Sequence, residues 1–211
     1  INTDASSLIG SDTFENGEVK LRKGPILNCA IRGGFGVLDE INMAKNESLA
    51  VLHAVLDFRR TIDLPGYDRI NLHEATRFIG TMNYGYAGTR EMNEALASRF
   101  MVLHMPVISA ENLQKLIKDK YPTLKPEYIS QFATLFDEIR KKCEGGEIST
   151  RSLDLRGLIS CIGMMKKGLG VTKALEMGLI NKCFDEYERQ LILDIVSARL
   201  PESLSGESIF S

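Results

Sequence analysis

The 211-residue sequence contains no tryptophan, only four cysteines, and no excess of either charge. A balance of 26 basic against 28 acidic residues argues against a protein that binds nucleic acid through net positive charge, although local basic patches stay possible. No apolar run approaches the roughly 20 residues that a transmembrane helix requires. A secretory signal peptide is also absent from the sequence. We therefore expect a cytoplasmic globular protein that does not bind a membrane.

The cysteines are too scattered to suggest a metal or disulfide framework. Cys29, Cys143, Cys161 and Cys183 form no C-x-x-C pair, which excludes the common zinc-binding spacings. Their wide separation is typical of reduced thiols in a cytoplasmic protein. We therefore expect no protein-bound zinc.

Residues 1–106 show alternating strand and helix signals. The Asn16-Gly17 pair predicts a hairpin over residues 13–21, and the pattern around Pro65-Gly66 predicts a second over 60–72. Helices are expected at residues 25–30, at 93–98 and after Asn46, where Leu49, Leu52, Val55 and Leu56 share one face. Strands are expected to end at Asp39, to span 77–83 and to span 101–104.

The sequence pattern of residues 107–211 predicts an almost entirely helical region. The clearest stripe comprises Ile129, Phe132, Leu135, Phe136 and Ile139. Further helices are expected at residues 112–120, 150–165, 171–177 and 185–198, the second of them capped by Ser149. Residues 203–211 are expected to be a frayed tail. The sequence thus predicts an α/β domain over 1–106 followed by a helical lid over 107–211.

Two adjacent acids end the apolar run Val37-Leu38. Asp39 and Glu40 stand where a buried parallel strand would finish, and ligands of open α/β sheets bind outside that edge. Two carboxylates are costly to bury without a cation, so Mg²⁺ with a nucleotide phosphate would suit them. From these residues alone, an ordinary strand followed by an acidic helix cap fits as well.

Four segments in order resemble motifs of the AAA+ ATPases. The similarity is to the MoxR-like and dynein-related group, which includes the CbbQ and GvpN proteins. The segments match its Walker B region, sensor 1 strand, arginine-finger helix and sensor 2 helix start, in the order GVLDEINMA at 36–44, FIGTMNY at 78–84, EALASRF at 94–100 and STR at 149–151. Two upstream segments, LIG at 8–10 and KGPIL at 23–27, match the stretches before Walker B.

The resemblance implies a role for five residues. Asp39 would hold Mg²⁺ through its water shell, and Glu40 would polarise the attacking water. Asn83 would position that water and contact the γ-phosphate. Arg99 would act in trans on the nucleotide of an adjacent subunit. Arg151 would contact phosphate from the first turn of a lid helix, where a cation is otherwise unfavourable.

Other interpretations of the same residues stay open. Asn83 also fits a turn, Arg99 a surface ion pair, and Arg151 a solvated side chain. The two hairpins either project towards a pore or a client, as inserts of this group do, or shield the core. Phe14, Glu15 and Asn16 at the first tip are candidates for the former role, together with Tyr67 and Asp68 at the second.

The phosphate-binding pattern G-x-x-x-x-G-K-[S/T] is absent from the 211 residues. The resemblance therefore implies a P-loop NTPase-type α/β core that lacks its first strand and P-loop, followed by an all-α lid. Residues 1–3 resemble the strand that follows the P-loop helix, so we expect that the chain is part of a longer protein. A degenerate relative that no longer binds nucleotide is the alternative.

The resemblance implies an ATP-hydrolysing, Mg²⁺-dependent motor that assembles into a hexameric ring and remodels a client protein. The chain alone is expected to be inactive. Two other functions stay open: a non-catalytic interaction or assembly module that keeps the fold, and a nucleic-acid-remodelling NTPase. The near-neutral charge argues against the second of these.

Overall fold

A computed structural model describes residues 8–64, 66–83, 92–201 and 203–211, with only the backbone for Glu47. The chain divides into two compact units, Ile1–His104 and Met105–Ser211. The first unit combines strands and helices, and the second is helical. No helix in the described ranges is both long and apolar enough to cross a bilayer.

Among its described residues, the first unit contains six strands, four α-helices whose bounds are known, and the 3₁₀ helix Ile41–Met43. The strands are β1 Gly10–Glu15, β2 Glu18–Lys23, β3 Gly34–Leu38, β4 Thr61–Ile62, β5 Ile70–Asn71 and β6 Thr76–Gly80. The helices are α1 Pro25–Arg32, α2 Asn46–Leu49, α3 Leu52–Leu56 and α4 Glu94–Ala97. The strands form three separate pairs: β1 with β2, β4 with β5, and β3 with β6.

Both predicted hairpins are confirmed. Strands β1 and β2 are antiparallel, and the turn residues Asn16 and Gly17 both have positive φ, as a tight hairpin turn requires. Strands β4 and β5 also pair antiparallel, over only two residues each. Pro65 lies outside the described residues. The Tyr67 hydroxyl donates to Asp12 Oδ1 at 2.6 Å and thereby ties the second hairpin loop to the first hairpin.

Helix α1 is anchored against the start of β6. The fully buried Thr76 donates its hydroxyl to the Cys29 carbonyl oxygen at 3.1 Å. Between α1 and β3, Gly33 has φ of +82°, and a Cβ there would lie 2.7 Å from His73 Nδ1. Glycine at this position therefore allows the chain to pass from the helix into the parallel strand.

Strands β3 and β6 form a parallel pair with one open face. Their register places Val37 opposite Ile79 and Leu38 opposite Gly80. Leu38 and Phe78 pack against the core of the unit, whereas Phe35, Val37 and Ile79 are 73%, 62% and 47% exposed. Parallel sheets are normally covered on both faces, so this open apolar face is unusual.

Two predictions for the first unit are wrong. Residues 101–104 form no strand, and Met101 and Leu103 are almost fully exposed. A strand needs a hydrogen-bonded neighbour, and no described strand pairs with this segment. The single helix expected after Asn46 is divided into α2 and α3 at residues 50–51, although Leu49 and Leu52 stay buried.

The second unit contains five helices in its described part. They are α5 Ala110–Lys120, α6 Pro126–Glu144, α7 Leu155–Met165, α8 Val171–Gly178 and α9 Glu186–Ser197. The predicted stripe of α6 is buried, with Phe132 and Leu135 completely inaccessible. The Tyr121 hydroxyl donates to the Ile159 carbonyl oxygen at 2.8 Å, inside the same core.

The expected frayed tail is also wrong, because the tail packs into the second unit. Ile209 is fully buried, and Phe210 forms a bridge with Leu124. The Lys125 amide donates to the Ile209 carbonyl oxygen at 3.0 Å, and the Ser211 amide donates to the Thr123 carbonyl oxygen at 2.8 Å. The end of the chain therefore closes the core of the second unit.

Candidate active site

The carboxyl ends of β3 and β6 bring four of the polar residues of the first unit close together. Leu38 and Gly80 are the last paired residues, so Asp39 and Glu40 follow one strand while Thr81 and Asn83 follow the other. This confirms the predicted position of the acidic pair at the end of a parallel strand. It is the edge at which ligands bind in open α/β sheets.

Thr81 connects the two acids. Its hydroxyl donates to Asp39 Oδ1 at 2.5 Å and accepts a hydrogen bond from the Glu40 amide at 3.0 Å. The Thr81 carbonyl oxygen also accepts from the Ile41 amide at 2.9 Å. Thr81 thus fixes one oxygen of Asp39 and the backbone of Glu40. Sequence reasoning assigned Thr81 no role, although it stands two positions before Asn83 in the matched sensor 1 segment.

Glu40 has a left-handed backbone, with φ of 51° and ψ of 46°. This conformation costs a residue with a Cβ roughly 1–2 kcal/mol. Hydrogen bonds on both sides hold it, one from the Glu40 amide to Thr81 and one from the Met43 amide to the Glu40 carbonyl oxygen at 2.9 Å. Strain of this kind is concentrated at functional sites, and the strained residue here has an exposed side chain.

Asn83 is held through its backbone. The buried side chain of Asn42 donates from Nδ2 to the Asn83 carbonyl oxygen at 3.1 Å. The Asn83 side chain itself is exposed beside the acidic pair's segment. Asn42 is a second residue that the sequence did not single out, and it joins the turn after Glu40 to the end of the neighbouring strand.

A groove of 490 Å³ leads to the acidic pair. Its volume lies within the range of ligand pockets. Pro25, Ile26 and Cys29 of α1 line one part, Phe35 and Val37 of β3 another, and Asp39 and Glu40 its polar end. The groove is therefore largely apolar, with two carboxylates at one end.

The polar end suits Mg²⁺. No Lys, Arg or His of the described ranges forms an ion pair with Asp39 or Glu40. Nor do those ranges contain a group of three or more acidic, His or Cys side chains that could hold a metal. Mg²⁺ commonly binds one or two carboxylates and completes its shell with waters and phosphates, so these donors fit that ion together with a nucleotide.

Arg99 follows α4, whose N-cap Asn93 accepts from the Ala95 amide at 2.8 Å. Its guanidinium donates to the Ala95 carbonyl oxygen and lies 3.6 Å from Asp57 Oδ2. Within the described residues, these contacts do not include Asp39, Glu40 or Asn83. The structure therefore does not bring Arg99 to the acidic pair of its own chain.

Arg151 lies in the second unit, and its predicted setting is wrong. It belongs to the 3₁₀ turn Thr150–Ser152 and precedes α7 instead of lying in its first turn. Asp154 caps α7 by accepting from the Gly157 amide at 2.8 Å. Ser149 instead donates its hydroxyl and its amide to Glu188, at 3.0 and 2.7 Å. The helix-dipole argument for a nearby phosphate therefore no longer applies to Arg151.

Comparisons with known proteins place this chain in a family. The model of the AAA domain, dynein-related subfamily, matches residues 2–100. Uncharacterized proteins from Staphylococcus aureus strains bovine RF122 / ET3-1 and NCTC 8325 are each 32% identical to the chain over 202 residues. The aligned part is 93% of this chain and 76% of each relative. The chain belongs to the dynein-related AAA family.

This membership confirms the predicted P-loop NTPase-type fold class, and the parallel pair with its helices agrees with it. The AAA match spans Asp39, Glu40, Asn83 and Arg99 and ends before Arg151. A crystal structure of a candidate ATPase from Cytophaga hutchinsonii aligns with a TM-score of 0.43 and 16% identity. That alignment covers 92% of this chain, which spans 59% of the other protein.

Proposed function

We propose that this AAA chain contributes the Walker B, sensor 1 and arginine-finger parts of an ATP-hydrolysing motor of the MoxR-like type. The observation that carries the proposal is the Thr81 hydroxyl, which joins Asp39 and Glu40 at the end of two parallel strands. Both carboxylates are exposed, and neither forms an ion pair with a described residue. Two such carboxylates at this edge of the sheet suit Mg²⁺ together with a nucleotide phosphate.

Each residue then has a defined task. Bound Mg²⁺ would neutralise charge on the nucleotide phosphates. Asp39 would accept hydrogen bonds from the water shell of that ion, because Thr81 already fixes its Oδ1. The exposed Glu40 carboxylate would orient the attacking water, and the Asn83 amide would hold that water against the phosphate. Arg99 would serve the nucleotide of a neighbouring subunit. Arg151 would contact phosphate, a role that only its resemblance to the start of the sensor 2 helix supports.

We further propose that the phosphate-binding loop lies on a segment outside these 211 residues. The open face of Phe35, Val37 and Ile79 supports this, because apolar side chains on a parallel sheet are normally buried beneath another layer. Met101 and Leu103 are also exposed and apolar, so a further segment could cover them. A covering segment would complete both the sheet and the nucleotide site.

The assembled form is part of the same proposal. An arginine acting in trans requires a ring, which we propose to be a cytoplasmic homo-hexamer that remodels a client protein. The hairpin tip residues Phe14 and Val19 pair across β1 and β2 and are exposed, which suits contact with a client. All four cysteines are free thiols.

The decisive experiment replaces Glu40 by Gln in the longer protein. Glu40→Gln is expected to lower kcat for ATP by at least about 100-fold and to leave ATP binding intact, because the amide keeps the shape but not the basicity. The control Glu127→Gln, on an exposed residue at the start of α6, is expected to change neither value.

Unchanged hydrolysis in Glu40→Gln would contradict the proposed role of Glu40 in orienting the attacking water. A longer protein that binds no Mg-ATP at all would favour the non-catalytic module. The isolated 211-residue chain completes the comparison, since it is expected to show no turnover. Turnover by that chain alone would contradict the proposal that the phosphate-binding segment lies elsewhere.

A further inference from the structure

Asp57 lies between two arginines directly after α3. Arg59 occupies both of its carboxylate oxygens: Nε lies 3.1 Å from Oδ1 and from Oδ2, and Nη2 lies 2.6 Å from Oδ2. The Arg59 amide donates to Oδ1 as well, at 3.0 Å. Hydrogen bonding by Arg59 lowers the pKa of Asp57 to about 2, so the carboxylate is charged at neutral pH.

Arg99 is the second arginine, and it is held much more loosely. Its Nη2 is 3.6 Å from Asp57 Oδ2, beyond hydrogen-bond distance for a charged pair. Its Nη1 donates to the Ala95 carbonyl oxygen, and its Nε is buried without a hydrogen-bond partner among the described residues. Arg99 thus keeps unused donors although its side chain is only 24% exposed.

Arg199 shows the geometry of an arginine that is fully paired with a carboxylate. In the second unit, Arg199 donates from Nε to Glu138 Oε2 at 2.8 Å and from Nη2 to Oε1. This is the two-pronged geometry that arginine prefers with a carboxylate. Arg99 cannot reach that arrangement with Asp57, because Arg59 already takes both oxygens.

We propose that Arg59 is a positioning residue that saturates Asp57 and so keeps Arg99 available for the nucleotide of a neighbouring subunit. The inference rests on the proposed role of Arg99. A carboxylate offers few strong acceptor sites, and a bidentate arginine uses the best of them. Asp57 then lies near Arg99, with 3.6 Å between Oδ2 and Nη2, without capturing it. The unpartnered donor of Arg99 favours transfer to a phosphate oxygen, since an unmade buried hydrogen bond is costly.

The test uses ATP hydrolysis by the assembled longer protein. Arg59→Gln is expected to let Asp57 close on Arg99 and to lower kcat by about threefold to tenfold, with KM for ATP unchanged. Asp57→Asn combined with Arg59→Gln is expected to restore kcat, because the capturing charge is gone. Arg69→Gln, which removes an exposed pair with Asp63, is the matched control and is expected to leave kcat unchanged.

Two results would overturn the inference. If the double variant stays as slow as Arg59→Gln, then Arg59 acts by supporting the fold. If Arg59→Gln has the same kcat as the parent, then Arg59 does not keep Arg99 available by occupying Asp57. Should Arg59→Gln fail to assemble, Arg59→Lys replaces it; this variant keeps the charge with fewer directed donors, and an unchanged kcat would count against the inference.

A separate variant distinguishes this inference from the proposed function. Arg99→Ala is expected to abolish hydrolysis in the ring, as an arginine finger requires. Loss of hydrolysis in Arg99→Ala together with an unaffected Arg59→Gln would refute the positioning role alone. Full activity of Arg99→Ala would remove the proposed role of Arg99 and the inference with it.

Discussion

The two units of this chain differ in how much of their apolar surface they bury. Residues 105–211 bury the apolar faces of five described helices, and the end of the chain closes that core. The described residues of the first unit instead form three separate strand pairs, and the parallel pair exposes Phe35 and Val37. The comparison shows that the helical unit buries the apolar faces of its helices, whereas the unit carrying the acidic pair leaves one apolar face of its parallel strands exposed.

The largest effect is expected in the core of the helical unit. Phe132→Ala removes a fully buried ring and should lower the free energy of unfolding of that unit by about 3–5 kcal/mol. Phe184→Ala, at an exposed ring of the same unit, should change it by less than about 0.5 kcal/mol. Hydrogen exchange of peptides from α6 and α7 measures both values.

A small effect of Phe132→Ala on stability would contradict the comparison between a well-packed second unit and a partly open first unit. It would mean that the buried cluster around α6 does not hold the second unit together. Equal losses in Phe132→Ala and Phe184→Ala would instead indicate that Phe184 is covered in solution.

A smaller effect is expected from pH, through the thiol of Cys161. Cys161 is fully buried and donates to the Ala174 carbonyl oxygen at 3.1 Å. Burial raises its pKa from 9.0 to about 11, so the folded thiol stays protonated where the unfolded one ionises. Stability of the helical unit should therefore fall as pH rises from 9 towards about 11, by roughly 2 kcal/mol, because the unfolded thiol loses its proton in this range before the folded one does.

Cys161→Ala provides the control for this pH dependence. Its absolute stability will be lower, but the decline between pH 9 and 11 should become shallower. Part of the decline should remain, because burial also raises the pKa of Cys143 and of Tyr121. An unchanged slope would show that Cys161 is accessible to solvent in the folded unit.

Local signals in the sequence were sufficient for most of the fold. The turn at Asn16-Gly17 and the stripe through Ile129 and Phe132 predicted elements that the structure confirms. Both depend on interactions within one hairpin or one helix. The expected strand at 101–104 failed for the opposite reason, because strand formation depends on a partner that is distant in sequence or absent.

Long-range contacts explain the other errors. Ser149 has the residue type of a helix cap, but Glu188 engages its amide and hydroxyl, and Asp154 caps α7 instead. The final residues look polar and frayed, yet a bridge between Leu124 and Phe210 fixes them. Neither contact leaves a signal in local composition or periodicity.

In the candidate site, too, residues in local motifs were predicted and residues that depend on long-range contacts were missed. Asp39, Glu40 and Asn83 were identified because their motifs are local, and their roles stay predictions. Thr81 and Asn42 were missed, since their importance depends on which strand neighbours which. A threonine after the last paired residue of a neighbouring parallel strand is the signal that could have indicated the first of these.

The smallest effect in this chain, and the sharpest test of the comparison, is expected for Val37→Asp. Val37 is 62% exposed, so the change should cost the 211-residue chain no more than about 1 kcal/mol. The matched control is Val19→Asp, at a strand position 63% exposed on the first hairpin.

In the longer protein, the proposed covering segment would bury Val37 but not Val19. Val37→Asp should then abolish Mg-ATP binding there, because a carboxylate buried without a partner is costly, while Val19→Asp should bind normally. Equal tolerance of both variants in the longer protein, measured by nucleotide binding and thermal unfolding, would show that the open face of the parallel pair stays exposed.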